Sequence, residues 1–154
     1  METPEQPIPA AAEKKTKRPK VVKAKKLIQT SGRRKRAIAR AVLTPGKGIV
    51  RVNSRLLQTL TPQLVQDRIM EPLLLAGTSA NEVDIMVDVH GGGWQGQTEA
   101  VRLAIGKALV AHNKKLKKTF LDYDRHLLVA DIRYKEQRKP NDSKARASRQ
   151  KSYR

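Results

Sequence analysis

The stretch Val83-Asp84-Ile85-Met86-Val87-Asp88-Val89-His90, followed by Gly91-Gly92-Gly93, decides how this chain is read. Val83, Ile85, Val87 and Val89 alternate with Asp84, Met86, Asp88 and His90. That is the period-2 pattern of a strand with one buried and one exposed face. After the glycines, Thr98 to about Asn113 carries a broad apolar stripe of Val101, Leu103, Ala104, Ile105, Ala108 and Leu109, which predicts a helix. A half-buried strand running into an amphipathic helix through a glycine turn is the seed of a mixed α and β body.

Working toward the N-terminus, Val65, Ile69, Leu73 and Ala76 share a helical face, with Gly77 as its stop. Thr61-Pro62 predicts its start, Thr as N-cap and Pro at the first helical position. Pro72 predicts a kink or an early end near Glu71. Asn53 or Ser54 is expected to cap a short helix to Leu60. Ala37 to Leu43 alternates as a strand, Thr44-Pro45-Gly46-Lys47 suits a type II turn, and Ile49-Val50-Arg51-Val52 reads as the return strand of a hairpin. Toward the C-terminus, Lys114 to Tyr123 predicts a short helix, and Leu127-Leu128-Val129-Ala130 a buried strand. There is no internal repeat.

Charge divides the chain of 154 residues into three. Residues 1–26 are net +5, residues 27–131 net +7 and residues 132–154 net +7, for +19 in all. Most of the apolar residues lie in the middle segment, so only it can bury a core that offsets ordering entropy. The sequence therefore predicts a disordered basic arm over 1–26, a globular domain over 27–131 and an extended basic tail over 132–154. The absence of cysteine excludes disulfides and cysteine nucleophiles. No apolar run reaches the ~20 residues of a membrane span, and the basic ends lack the apolar face of a membrane-surface helix. A charge of +19 points to a polyanionic partner and to salt-dependent binding. With five aromatic residues in all, a stacking platform for single-stranded bases is not expected.

The chemistry-bearing patterns are few. Gly91-Gly92-Gly93-Trp94-Gln95-Gly96 contains G-x-G-x-x-G between a strand and a helix, the form of a dinucleotide fingerprint. No acidic residue follows at the right step, and too little chain remains for the second half of such a sheet. The glycines read instead as a connection that permits close backbone packing, against RNA or within the fold. Asp84 and Asp88 read as a solvated or ion-paired strand face, and Asp122, Asp124 and Asp131 as surface pairs. His90, His112 and His126 lack metal-ligand spacing. No serine lies in a nucleophile elbow.

The strongest remaining signal is basic. Arg33-Arg34-Lys35-Arg36 and Arg40 precede or enter the first strand, and guanidinium forks bind phosphates bidentately. Arg133, Lys135, Arg138, Lys139, Lys144, Arg146, Arg149, Lys151 and Arg154 form a tail of cations among small and polar residues, suited to threading between RNA helices.

Taken in order, Ser31-Gly32-Arg33-Arg34-Lys35-Arg36-Ala37, Gly46-Lys47-Gly48, Val52-Asn53, the glycine turn through Gln97, Tyr123-Asp124-Arg125 and Arg149-Gln150-Lys151-Ser152-Tyr153-Arg154 resemble the ninth protein of the small ribosomal subunit, the S-nine family. The resemblance covers residues 27–154. The ending Gln-Lys-Ser-Tyr-Arg resembles the archaeal and eukaryotic branch, and the short connection to Tyr123 the archaeal form. It implies an α+β domain with a small mixed sheet, similar to the second domain of ribosomal protein S five and containing a left-handed crossover.

The resemblance also implies a non-enzymatic, cytoplasmic structural role in the head of the small ribosomal subunit, with small-subunit rRNA and neighbouring head proteins as partners. No cofactor, small-molecule substrate or membrane is implied. Arg33, Arg34, Lys35, Arg36, Arg40, Arg133, Arg138, Lys139, Lys144 and Arg146 are the residues expected at rRNA. Arg149, Lys151, Ser152, Tyr153 and Arg154 are those expected near peptidyl-site tRNA. In Asp131-Ile132-Arg133-Tyr134 the sequence departs from the family's more usual Asp-Pro-Arg-Arg at the start of the tail. A free-standing nucleic-acid-binding protein of the nucleoid or RNA-chaperone kind is the alternative.

Overall fold

In the computed structural model, which describes residues 27–140, 145 and 146, alternation along the chain builds one sheet and helical spacing covers one face of it. The strands are β1 (Ile28–Arg34), β2 (Ala37–Pro45), β3 (Val50–Val52), β4 (Arg55–Leu56) and β5 (Val83–His90). The helices are α1 (Gln63–Ala76), α2 (Thr78–Asn81), α3 (Trp94–His112) and α4 (Leu116–Tyr123), with 3-10 turns at Leu57–Thr59 and Arg125–Leu127. Sheet order is β1-β2-β5-β3-β4. All neighbours are antiparallel except β3 and β5, which run parallel and are joined by a crossover through α1 and α2. This is the α+β architecture with a small mixed sheet that the S-nine resemblance implied.

The core lies between the sheet and α3. Ala37, Ala39, Ala41 and Leu43 of β2 and Val83, Ile85, Val87 and Val89 of β5 face it, against Val101, Ala104, Ile105, Ala108 and Leu109. The small residues of β2 let α3 lie close to the sheet. At Gly32 of β1 the approach is closer still: a Cβ there would come within 2.0 Å of the Ala100 carbonyl oxygen. Phe120 from α4 and Leu127 are both fully buried against the same core. The Phe120 ring anchors α4, and truncating a buried Phe costs about 3–5 kcal/mol.

Several local expectations change once strand order is known. Ile49–Val52 does not return beside β2, because β5 lies between β2 and β3. A turn motif says that the chain reverses, not which strand becomes its neighbour. The positive φ near that turn falls at Gly48 (+87°) rather than Gly46. Gly46 is needed for space, since its Cβ would overlap the Asp84 carboxylate. Asn53 and Ser54 do not cap a helix. Both have positive φ (47° and 67°), as a two-residue type I′ hairpin requires, and they join β3 to β4. Asn53 also docks on β5: its Nδ2 donates to the Val89 carbonyl (3.1 Å), and its Oδ1 accepts from the Val89 N–H (2.8 Å).

Pro62, not Thr61, occupies the N-cap of α1, with no side-chain cap. The helix runs through Pro72, which is buried, to a Gly77 stop with φ +54°. Helix α3 begins at Trp94, four residues earlier than its apolar stripe suggested. Leu127–Ala130 is not a strand: Leu127 completes a 3-10 turn whose N–H groups bond back to Asp124 and Arg125.

Candidate nucleic-acid interface

The Arg33–Arg36 run is a hairpin tip rather than a loop. Arg34 of β1 pairs with Ala37 of β2, leaving Lys35 and Arg36 as a two-residue turn. Lys35 takes φ +52°, the sign a type II′ hairpin requires at its first central position. Pleating then sends the cations to different places. Arg33 and Arg40 stand on the sheet face opposite the helices, where Arg33 lies across from Ile38, and Arg40 between Ser31 and Asp88. Arg51 of β3 shares that face, across from Met86. Lys35 and Arg36 project from the tip, exposed.

Arg34 points to the helix side and is occupied there. Its Nη1 donates to the carboxylate of Asp131, whose side chain is only 7 % exposed. The same carboxylate accepts from Arg133 Nη2 (2.7 Å) and Nε (3.0 Å), and from the Arg133 backbone N–H (2.8 Å). Asp131 therefore neutralises part of the basic cluster and fixes where the tail leaves the body. Beyond it, Arg33 lies over the Tyr134 ring at 5.9 Å from the centroid, a cation–π distance. Arg138 and Lys139 are exposed, and Arg146 is paired with Glu136 (2.6 Å). Lys144, Arg149, Lys151, Ser152, Tyr153 and Arg154 lie outside the described residues, as does the arm 1–26.

The glycine turn is packed against this hairpin. A Cβ on Gly91, where φ is +76°, would come within 2.6 Å of the Arg36 carbonyl oxygen. Its role is the close backbone approach the sequence allowed, here within the fold. The contact sets the first turn of α3 beside the cationic tip. Between them opens a cleft of about 470 Å³, floored by Arg102 and Thr98 and flanked by Trp94, Lys35, Arg68 and His126. Trp94 is 53 % exposed.

Arg102 is the residue that sequence reading missed. It sits within the apolar stripe of α3 and is 3 % exposed. Its guanidinium joins three elements: Nη2 pairs with Glu71 of α1, Nη1 with Asp124 (2.9 Å) and, more distantly, with Glu99 (3.8 Å). Burial disfavours the Arg102 charge, but Asp124 and Glu71 outweigh that and hold the guanidinium protonated. Burial likewise raises the Asp124 carboxyl. The His126 N–H (2.8 Å) and Arg102 more than offset it, so its pKa lies below the ordinary carboxylate value. Asp84 is partly exposed, as expected, and among the described residues its carboxylate is held by backbone amides rather than by a salt bridge. It accepts the N–H groups of Ile49 (2.9 Å) and Lys47 (2.8 Å), and those amides, Ile49 first, lower its pKa.

Comparison with known proteins now bears on this arrangement. The family described as ribosomal protein S9/S16 matches residues 32–154. The chain belongs to that family. Two similar relatives are both named small ribosomal subunit protein uS9. One, from Methanococcus vannielii, is 46 % identical over 133 residues; the other, from Methanococcus maripaludis, is 45 % identical over the same length. Each alignment covers 84 % of this chain and 99 % of the relative. The S9 resemblance read from the ordered motifs, and its archaeal character, are thereby upheld. The family span begins at Gly32, at the basic hairpin, and leaves the arm 1–26 outside it.

Proposed function

We propose that this chain is a structural constituent of the small ribosomal subunit in the cytoplasm, that it binds the subunit's rRNA in the head, and that it takes no part in catalysis. The observation that carries this is the match along essentially the whole length of relatives named small ribosomal subunit protein uS9. The geometry supports it. Lys35 and Arg36 stand exposed at the two-residue tip of the β1–β2 hairpin, with Arg33, Arg40 and Arg51 on the open sheet face. Fixed cations on strands neutralise closely spaced phosphates without first being ordered, so shape and charge rather than base-edge readout set the address.

In this reading residues 27–131 are the rRNA-binding body, 1–26 a basic arm and 132–154 a basic tail. Arg138, Lys139, Lys144 and Arg146 continue the rRNA contact. Arg149, Lys151, Ser152, Tyr153 and Arg154 approach peptidyl-site tRNA, and other head proteins abut the body. Two experiments test it. Binding of the purified chain to small-subunit rRNA should weaken steeply with salt; for ~8 phosphates the log–log slope is about −6 to −7, and a slope near zero contradicts the reading. Deleting Lys151–Arg154 should lower retention of peptidyl-site tRNA on small subunits while assembly proceeds. Unchanged tRNA affinity overturns the tail assignment.

A further inference from the structure

The cleft beside the hairpin tip has a feature that charge neutralisation does not use. Trp94, the chain's single tryptophan, is more than half exposed where it lines this cleft together with residues of the basic hairpin. The exposed indole presents an open aromatic face, and the first residues of the tail, where Tyr134 packs on Arg33, leave it uncovered. The cleft walls differ in kind. Lys35 and Arg68 line the cleft as cations, and Glu99 and Asp124 as carboxylates. Arg102 is almost fully buried and engaged by Glu71 and Asp124, so it holds the floor of the cleft in place. The Glu99 and Asp124 carboxylates repel a phosphate but accept from the amino group of a base. A volume of about 470 Å³ is in the range of pockets that hold small ligands.

We propose that this cleft takes one unpaired rRNA nucleotide, its base stacked on the Trp94 indole with its amino edge toward Glu99, and its phosphate held outside by Lys35 and Arg68. The proposal rests on the rRNA-binding reading above and adds a single-nucleotide stacking subsite to it. A paired base cannot enter, because its face is covered within the duplex, whereas a splayed base can stack on an aromatic side chain.

Having a single tryptophan makes the test direct. The full-length chain is titrated with a labelled single-stranded oligoadenylate and, separately, with a fully paired RNA duplex of equal length. Binding is read by anisotropy of the RNA, and stacking by Trp94 emission. The single strand should quench Trp94 over the same concentrations at which it binds, while the duplex should bind with little quenching. Trp94→Ala should weaken single-strand binding about tenfold, within the range measured for base–aromatic stacking. Trp94→Phe should recover most of that affinity, and duplex binding should be the same in all three proteins. Single-strand binding with unchanged Trp94 emission and unaltered affinity in Trp94→Ala overturns the nucleotide site while leaving the rRNA reading intact. Failure of the wild-type chain to bind either RNA overturns both.

Discussion

The guanidinium of Arg34 is closed on the carboxylate of Asp131, 97 residues further along the chain. Two neighbours in one basic run thus have opposite duties. Arg33 faces outward from the sheet, and Arg34 ties the hairpin to the root of the tail. Arg133 shares the same acceptor, so Asp131 accounts for two of the cations that a charge count assigns to RNA.

That division predicts different outcomes for adjacent substitutions. Arg33→Ala should reduce the salt slope of rRNA binding by roughly 0.7–0.9, the share of one phosphate contact, with little change in stability. Arg34→Ala should leave the slope nearly unaltered and lower folding stability by about 1.5–3 kcal/mol, the scale of a hydrogen bond to a charged group. Paired measurements of binding against salt and of urea unfolding distinguish the two.

Arg102→Met should be among the most damaging single changes in the body. It removes the buried cation that bridges Glu71 and Asp124 at the junction of α1, α3 and the turn after α4, leaving Glu71 only the exposed Arg68. Breaking a buried ion pair from one side costs about 3–5 kcal/mol, because the remaining charge is left uncompensated. Adding Glu71→Gln and Asp124→Asn should restore part of that loss. A fall in the urea midpoint for Arg102→Met, partly reversed in the triple variant, is the expected result.

Asp84 and Asp124 predict acid sensitivity. Both have pKa values lowered by folding, so each contributes stability above the unfolded carboxylate value near 4, and that contribution is lost as pH falls through the folded value. Asp84→Ala should flatten the fall in stability below about pH 4. It should also remove hydrogen-exchange protection at the Lys47 and Ile49 amides, which bond to its side chain. Exchange rates at those two amides provide the check.

Gly32→Ala should destabilise the body by about 1–3 kcal/mol, the usual cost of overpacking. The added Cβ would meet the Ala100 carbonyl and the Ala104 N–H of α3, both backbone groups that cannot swing aside. A drop in thermal midpoint with the RNA salt slope retained would confirm a packing role.

Strand β5 and helix α3 were legible because their patterns are long, alternating over eight residues in one and holding a stripe for several turns in the other. The Val50–Val52 strand was legible too, but its neighbour was not, since parallel pairing with β5 depends on where a later segment returns. Asn53-Ser54 misled because the same residue types suit a helix cap and a type I′ turn, and only the strand pairing on either side decides. Leu127–Ala130 misled because a short apolar run carries no period.

The candidate site was half legible. The basic run at 33–36 could be read directly, whereas its splitting between two sheet faces required the register of β1, a strand not foreseen. Arg102 was hidden because helical spacing explained the position as core, and nothing local announces partners 31 and 22 residues away in Glu71 and Asp124. Five aromatic residues in all argue against a stacking platform, whereas the role proposed for Trp94 comes from its place at the start of α3 and not from that number.

The most direct test of the whole account is where the protein is found in a cell. In sucrose gradients of lysate at moderate salt, the tagged full-length chain should sediment with small subunits and translating ribosomes, and should leave them only at high salt. Recovery of the chain chiefly at the top of the gradient, stable and free of RNA, would contradict it.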